Sequence, residues 1–143
     1  MAYDILIVDD EADIRKQISG VLEDDGHTAR EAADSKSAFA NIKSRRPSLI
    51  LLDIWLEGSE FDGLEILRNV KHEHPDVPVV MMSGHGTIET AVAAIKEGAY
   101  EFIEKPFNTD RLLLLIARSI EAARLKRENK ELRLRSGGDA QII

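Results

Sequence analysis

Short apolar runs alternate with stretches whose apolar positions recur at helical spacing, and the alternation repeats five times along the chain. DILIV (residues 4–8) leads into a stretch with Ile14, Ile18, Val21 and Leu22 on one face. HTARE (27–31) is a weaker strand, followed by Ala38, Phe39 and Ile42. LILL (49–52) precedes a helix opened by Asp62 and Glu65 at capping-box spacing, with Leu64, Ile66, Leu67 and Val70 behind them. VPVVMM (77–82) precedes a helix capped near Thr87 with Ile88, Ala91, Val92 and Ile95 turned inward, and YEFI (100–103) precedes a last helix from about Thr109. Strands that are continuously apolar rather than alternating are covered on both faces. The pattern therefore predicts an α/β fold, a parallel sheet with helices on either side.

The last helix runs past where a domain helix should stop. No Gly or Pro interrupts residues 109–135 and the breaker Gly137-Gly138 follows, so it should overhang the domain. Setting Ala122 and Asn129 at heptad position a puts Leu125 and Leu132 at d. Glu121 and Glu128 then fall at g, with Lys126 and Arg133 at the following e, the spacing of ion pairs between parallel helices. Two heptads suit a short coiled coil or a solvated linker helix alike, and Arg118 spoils the preceding d position.

Charge follows the same division. The 143 residues carry a net charge of −7, yet residues 117–135 hold seven basic side chains against three glutamates. The acidic body argues against nucleic acid as its direct partner. The chain has no cysteine, which excludes disulfides and thiolate chemistry, and no apolar run long enough for a membrane span. One domain in the cytoplasm is expected.

Ligands of open parallel sheets sit at the carboxyl ends of strands. Asp9 and Asp10 follow the first run, Asp53 the third, Ser83 the fourth and Lys105 the fifth. One such Asp is usually a cap or turn residue; three carboxylates, a hydroxyl and a lysine at successive ends form a set. Clustered carboxylates raise one another's pKa unless a cation neutralises them. Oxygen donors without His or Cys suit Mg²⁺, which accepts one or two carboxylates plus phosphate oxygens. Lys105 and Ser83 can then stabilise a transferring phosphoryl group, leaving Asp53 as the nucleophile that forms an acyl phosphate.

These residues resemble the receiver domains of bacterial two-component response regulators. The resemblance covers about residues 4–122 and rests on VDDE (8–11), LLDI (51–54), MSGHG (82–86) and EKPF (104–107), in order and spacing. It implies a flavodoxin-like (βα)5 doubly wound sheet of order 2-1-3-4-5 with a histidine kinase as phosphoryl donor. It further implies Asp53 as phosphoacceptor and Mg²⁺ held by Asp10, Asp53 and the backbone carbonyl of Trp55, with Asp9 acting through water. Ser83 and Lys105 would hold the phosphoryl oxygens, Lys105-Pro106 would be cis, and Phe102 would occupy the switch position without the hydroxyl some relatives carry there. The Trp55 side chain stands where the family places residues that tune hydrolysis, so its indole is expected to hinder attacking water. His85, two residues after Ser83, would either border the phosphoryl group and influence hydrolysis or be an ordinary exposed loop histidine.

One departure stands out: Asp62-Gly63 comes nine residues after Asp53, making that loop two residues longer than is usual in the family. The WLEGS loop, EKPF and the continuous last helix look most like receivers of nitrogen-regulation NtrX type. There the receiver precedes an AAA+ ATPase module and a DNA-binding domain. The expected organisation is a receiver over 1–122 and a helical linker over 123–143 leading toward an absent AAA+ output domain, since no GxxxxGKS or GxxxxGKT phosphate loop occurs. A homodimer is expected. Phosphorylation would switch the face built from the fourth helix, fifth strand and fifth helix, and so regulate transcription. Two other classes compete. An interaction module of receiver fold that is never phosphorylated would carry the same fold. A haloacid-dehalogenase-like phosphatase shares the Asp nucleophile and Mg²⁺, but wants a second Asp where Trp55 stands. Dinucleotide binding is weaker still, because Gly84-His85-Gly86 is followed by Glu89 where a third glycine is needed.

Overall fold

The five apolar runs form strands β1 (Asp4–Val8), β2 (Thr28–Ala32), β3 (Leu49–Asp53), β4 (Val79–Ser83) and β5 (Glu101–Glu104). Between and after them lie helices α1 (Ala12–Asp24), α2 (Ser35–Ser44), α3 (Gly63–Glu73), α4 (Ile88–Lys96) and α5 (Thr109–Ala140). The structure, a computed structural model, describes residues 2–84 and 88–140, the helix beyond residue 132 by its backbone. All neighbouring strands are parallel, in the order β2-β1-β3-β4-β5.

Because successive side chains of a strand point to opposite faces, each aliphatic run feeds two cores. Leu6, Val8, Ile50, Leu52, Val79 and Met81 pack under α2, α3 and α4, joined by Ile66, Leu67 and Ala94. Ile5, Ile7, Leu49, Leu51, Val80 and Met82 pack under α1 and α5, joined by Ile18, Leu22, Leu112 and Ile116. Each such side chain, fully buried, contributes roughly 1.5–3 kcal/mol. The register pairs Val8 with Leu52, Asp53 with Met82 and Ser83 with Glu104, so the strands finish along one edge of the sheet.

The capping box at α3 forms as the spacing predicts: Glu65 N–H donates to Asp62 Oδ1 at 2.9 Å, and Asp62 N–H donates to Glu65 Oε1 at 3.3 Å. Two expectations need correction. On α4 the stripe of large aliphatics faces outward: Ile88 is 85% exposed, and Val92 and Ile95 are each 46% exposed, while Ala94 is buried. The small face of this helix lies against the sheet, where Ala94 joins the core; periodicity located an amphipathic helix but not which of its two apolar faces the sheet accepts. On α5 the backbone stays helical through Gly137-Gly138 to Ala140, so these glycines do not end it. An interior glycine costs about 1 kcal/mol of helix propensity, which lowers stability without breaking the helix. Its 32 residues correspond to a length of about 48 Å. The expected cap near Thr87 lies outside the described residues.

Gly63, first residue of α3, fixes how closely that helix meets the end of β3. Its N–H donates to Ile54 O at 2.8 Å. A Cβ there would stand 2.1 Å from the backbone oxygen of Asp53 and 2.6 Å from Cα of Ile54. Gly63→Ala should therefore cost about 3 kcal/mol or more, because rigid backbone must move. Gly20→Ala, in α1 with nothing within 4 Å of the new methyl, should instead gain about 0.5–1 kcal/mol. Urea denaturation midpoints of the two variants check both signs.

Candidate functional site

Four strand ends bring the polar residues together. Asp9 follows β1, is fully buried, and is placed by its N–H, which donates to Ala32 O at 3.1 Å. Its Oδ1 accepts from Glu11 N–H at 2.9 Å and its Oδ2 from Lys105 Nζ at 2.6 Å. Asp53, last residue of β3, is buried, and its Oδ2 accepts from the same ammonium at 3.1 Å. The Trp55 N–H also donates to its carboxylate. Asp10 is half-buried and its Oδ2 accepts from Glu57 N–H at 3.0 Å. Ser83 closes β4 fully buried, and its carbonyl accepts from Lys105 N–H at 2.9 Å, which fixes where the lysine starts. The Lys105-Pro106 bond is cis.

Asp9, Asp10 and Asp53 each present one oxygen, all within 4.8 Å of one another. Lys105 bridges two of the three, so one ammonium is left to balance a cluster of three carboxylates. Burial pushes the Asp53 carboxyl up to about 6, with Asp9 adding to the rise; Lys105 and the Trp55 N–H oppose it. Burial disfavours the Lys105 charge, but the hydrogen bonds and charges of Asp9 and Asp53 outweigh it and raise its pKa. An all-oxygen set, convergent and more negative than its lysine can offset, fits a hard divalent cation such as Mg²⁺.

The structure thus gathers Asp9, Asp10, Asp53, Ser83 and Lys105 at one edge. Trp55 has its backbone on the Asp53 carboxylate, while the residue is 53% exposed. Phe102 lies a layer away, half-buried against the core, lining a cavity of about 360 Å³ with Ala91, Val92, Ile95, Lys96 and Glu101. His85 lies outside the described residues. Two contributors escaped the sequence reading. Arg15 donates from Nη1 to the Asp9 carbonyl at 2.6 Å and from Nε to Glu31 at 3.3 Å, pinning the loop that carries both aspartates. Glu57 acts through its backbone N–H. The Arg15–Asp9 and Glu57–Asp10 contacts have no residue-type signature, since each has a backbone atom at one end.

Among the described residues no helix is long and apolar enough to cross a membrane. The sequence pattern of the response regulator receiver domain matches residues 5–117. The nitrogen assimilation regulatory protein NtrX of Azorhizobium caulinodans is 63% identical over 133 residues, 93% of this chain and 29% of that protein. The crystal structure of the receiver domain of NtrX from Brucella abortus is similar with a TM-score of 0.80 at 58% identity, covering 82% of this chain and 98% of that one. The solution structure of a beryllofluoride-activated NtrC4 receiver domain dimer is similar with a TM-score of 0.78 at 39% identity, covering 83% and 97%. The chain spans less than a third of the curated relatives it matches.

The raised Asp53 carboxyl has a consequence for stability. Between its ordinary value of 3.8 and about 6 the folded chain holds a proton that the unfolded chain has lost. Its contribution to stability is full below the lower value and is lost as pH rises through the upper one. Asp53→Asn, which does not titrate, should therefore gain thermal stability over the wild type as pH rises from 4 to 7.5 in chelator. A midpoint difference that stays constant across this range would contradict the assignment.

Proposed function

The chain belongs to the response regulator receiver family, and we propose that Asp53 is its phosphoacceptor, charged by a sensor histidine kinase in a two-component system. The observation that carries this reading is the Lys105 ammonium shared between Asp9 and Asp53, with Asp10 converging on the same point. A carboxylate oxygen of Asp53 attacks phosphorus of a phosphohistidine, the new P–O bond forms as the P–N bond breaks, and the imidazole leaves with the electron pair. The product is an acyl phosphate on β3, in line with nucleophilic catalysis by an aspartate.

The chain's own residues prepare that step. The Trp55 N–H and Lys105 fix the Asp53 carboxylate. Lys105, already charged, is positioned to turn from the carboxylates to a phosphoryl oxygen, and the buried Ser83 hydroxyl to donate to another. Asp10, Asp53 and the Trp55 carbonyl would hold Mg²⁺, with Asp9 acting through water. When bound, the ion offsets the negative charge of the cluster and of the incoming phosphoryl group. His85 would border the phosphoryl group and influence its hydrolysis.

The outward stripe of α4 offers a face for output. Phosphorylation recruits Lys105 and Ser83, β4's end moves inward, and Phe102 repacks in its cavity, changing the α4–β5–α5 face. Residues 1–122 act as receiver and 123–143 as linker, joined in the full-length regulator to AAA+ and DNA-binding modules. A homodimer of the activated receiver, as in the NtrC4 receiver domain dimer, transmits the change along α5, and the setting is transcriptional control of nitrogen metabolism in the cytoplasm.

Incubation with acetyl phosphate and Mg²⁺ should add one phosphoryl group, read by intact mass. Asp53→Asn and chelator should each abolish the label, and Lys105→Ala should slow it and remove the response of α4 resonances. Absence of label on the wild type would instead favour an interaction module that is never phosphorylated, and sustained turnover of a phosphate ester a phosphatase. Trp55→Asn should shorten the lifetime of the phosphoaspartate severalfold by admitting water; an unchanged lifetime would remove the indole from the site.

A further inference from the structure

Lys105 fixes Asp9 and Asp53 but not Asp10. Among the described residues the one hydrogen bond to the Asp10 carboxylate comes from Glu57 N–H, 3.0 Å away, in the loop between β3 and α3. That loop is anchored at its far side to the start of α2. Ser59 Oγ accepts from Ser35 N–H at 2.9 Å and donates to Phe61 O at 2.6 Å, and Phe61 N–H donates to Ser35 Oγ at 3.3 Å. The Ser35 N–H belongs to the first turn of α2, where backbone donors have no partner within the helix. The Phe61 ring meets Phe39 of α2 edge-on, with centroids 6.1 Å apart and planes at 65°. Leu56, next to Glu57, is buried in the core, and Gly58, between the two anchors, turns the chain with φ of +73°.

We propose that this longer loop is a brace that preorganises Asp10 for cation binding, with Ser59 and Phe61 as positioning residues that tie it to α2. The proposal rests on the cation site of the preceding section. The three carboxylates converge with the Glu57 bond in place, so that bond supports the cluster rather than competing with it. A half-buried aspartate released from that hydrogen bond regains side-chain rotamers, which cation binding must then freeze again. Coupling of this kind is reciprocal: a cation on Asp10 also tightens the loop's hold on α2.

The test is calorimetric titration of Mg²⁺ into the unphosphorylated protein. Ser59→Ala and Phe61→Ala should each weaken binding roughly tenfold, the usual scale for groups that orient a ligand without touching the metal. Ser59→Thr, which keeps the hydroxyl, should restore wild-type affinity. Amide exchange at Ser35 should slow on adding Mg²⁺ in the wild type and not in Ser59→Ala, a readout that a loop with a merely structural role would not move. Binding within about twofold of wild type in both variants overturns the brace and leaves the cation site standing. No Mg²⁺ binding by the wild type overturns both.

Discussion

One ammonium among three carboxylates is the constraint on which the rest of this structure depends. Two buried acids set side by side repel, and the repulsion is tolerable only if a cation is held between them by something other than their own attraction. Here the holding is done by backbone. Lys105 N–H is paired to the Ser83 carbonyl, extending the β4–β5 register, so the lysine side chain starts from a fixed point. Asp9 is paired to Ala32 across to β2, and Asp53 ends the strand between β1 and β4. A slip of one residue in any pairing would turn the acid or the lysine to the wrong face. The parallel aliphatic sheet thus serves as the frame that keeps opposing charges at bonding distance.

Such a frame stores an imbalance. Lys105 cannot neutralise the whole cluster, and the Asp53 carboxyl, raised chiefly by its burial, is raised further by the Asp9 charge beside it. A structure selected only for stability would replace one of these acids with an amide or an aliphatic residue. Retaining all three makes sense where something cationic, and then something anionic, is to be received. The same reasoning explains why Arg15 spends its guanidinium on a backbone carbonyl and Glu31 rather than on the carboxylates. It holds the loop in place while leaving the cluster's charge available.

Legibility in the sequence tracks whether side chains or backbone carry the information. The strands β1, β3 and β4 were readable because continuous aliphatic runs have few alternatives, and the α3 start because Asp62 and Glu65 make a reciprocal cap that local spacing specifies. The clustered acids were readable because strand ends of a parallel sheet share an edge. The face of α4 was not. Ile88, Val92 and Ile95 form a true helical stripe, yet only the sheet's available space decides that Ala94 goes inward. Gly63 reads in the sequence only as the companion of Asp62, although its missing Cβ sets the distance between α3 and β3. The Glu57 contact was invisible for a simpler reason: any residue but proline has that N–H.

The overhanging helix shows how local and long-range readings of the same residues compete. Glu121 and Glu128 sit where a parallel dimer would pair them across helices, but in the single chain Arg124 donates to both from within the helix. Exposed pairs of this spacing contribute about 0.3–0.5 kcal/mol each, so exchanging them for partners on another helix changes the free energy little in either direction. What would favour association on this seam is burial of Leu125 and Leu132, both exposed in the single chain, and two leucines per helix are a small apolar area against the loss of translational and rotational freedom on binding. A dimer resting on α5 alone would therefore be weak, and further strength would have to come from a second surface. The aliphatic stripe of α4, turned outward beside Phe102, has the composition for that part.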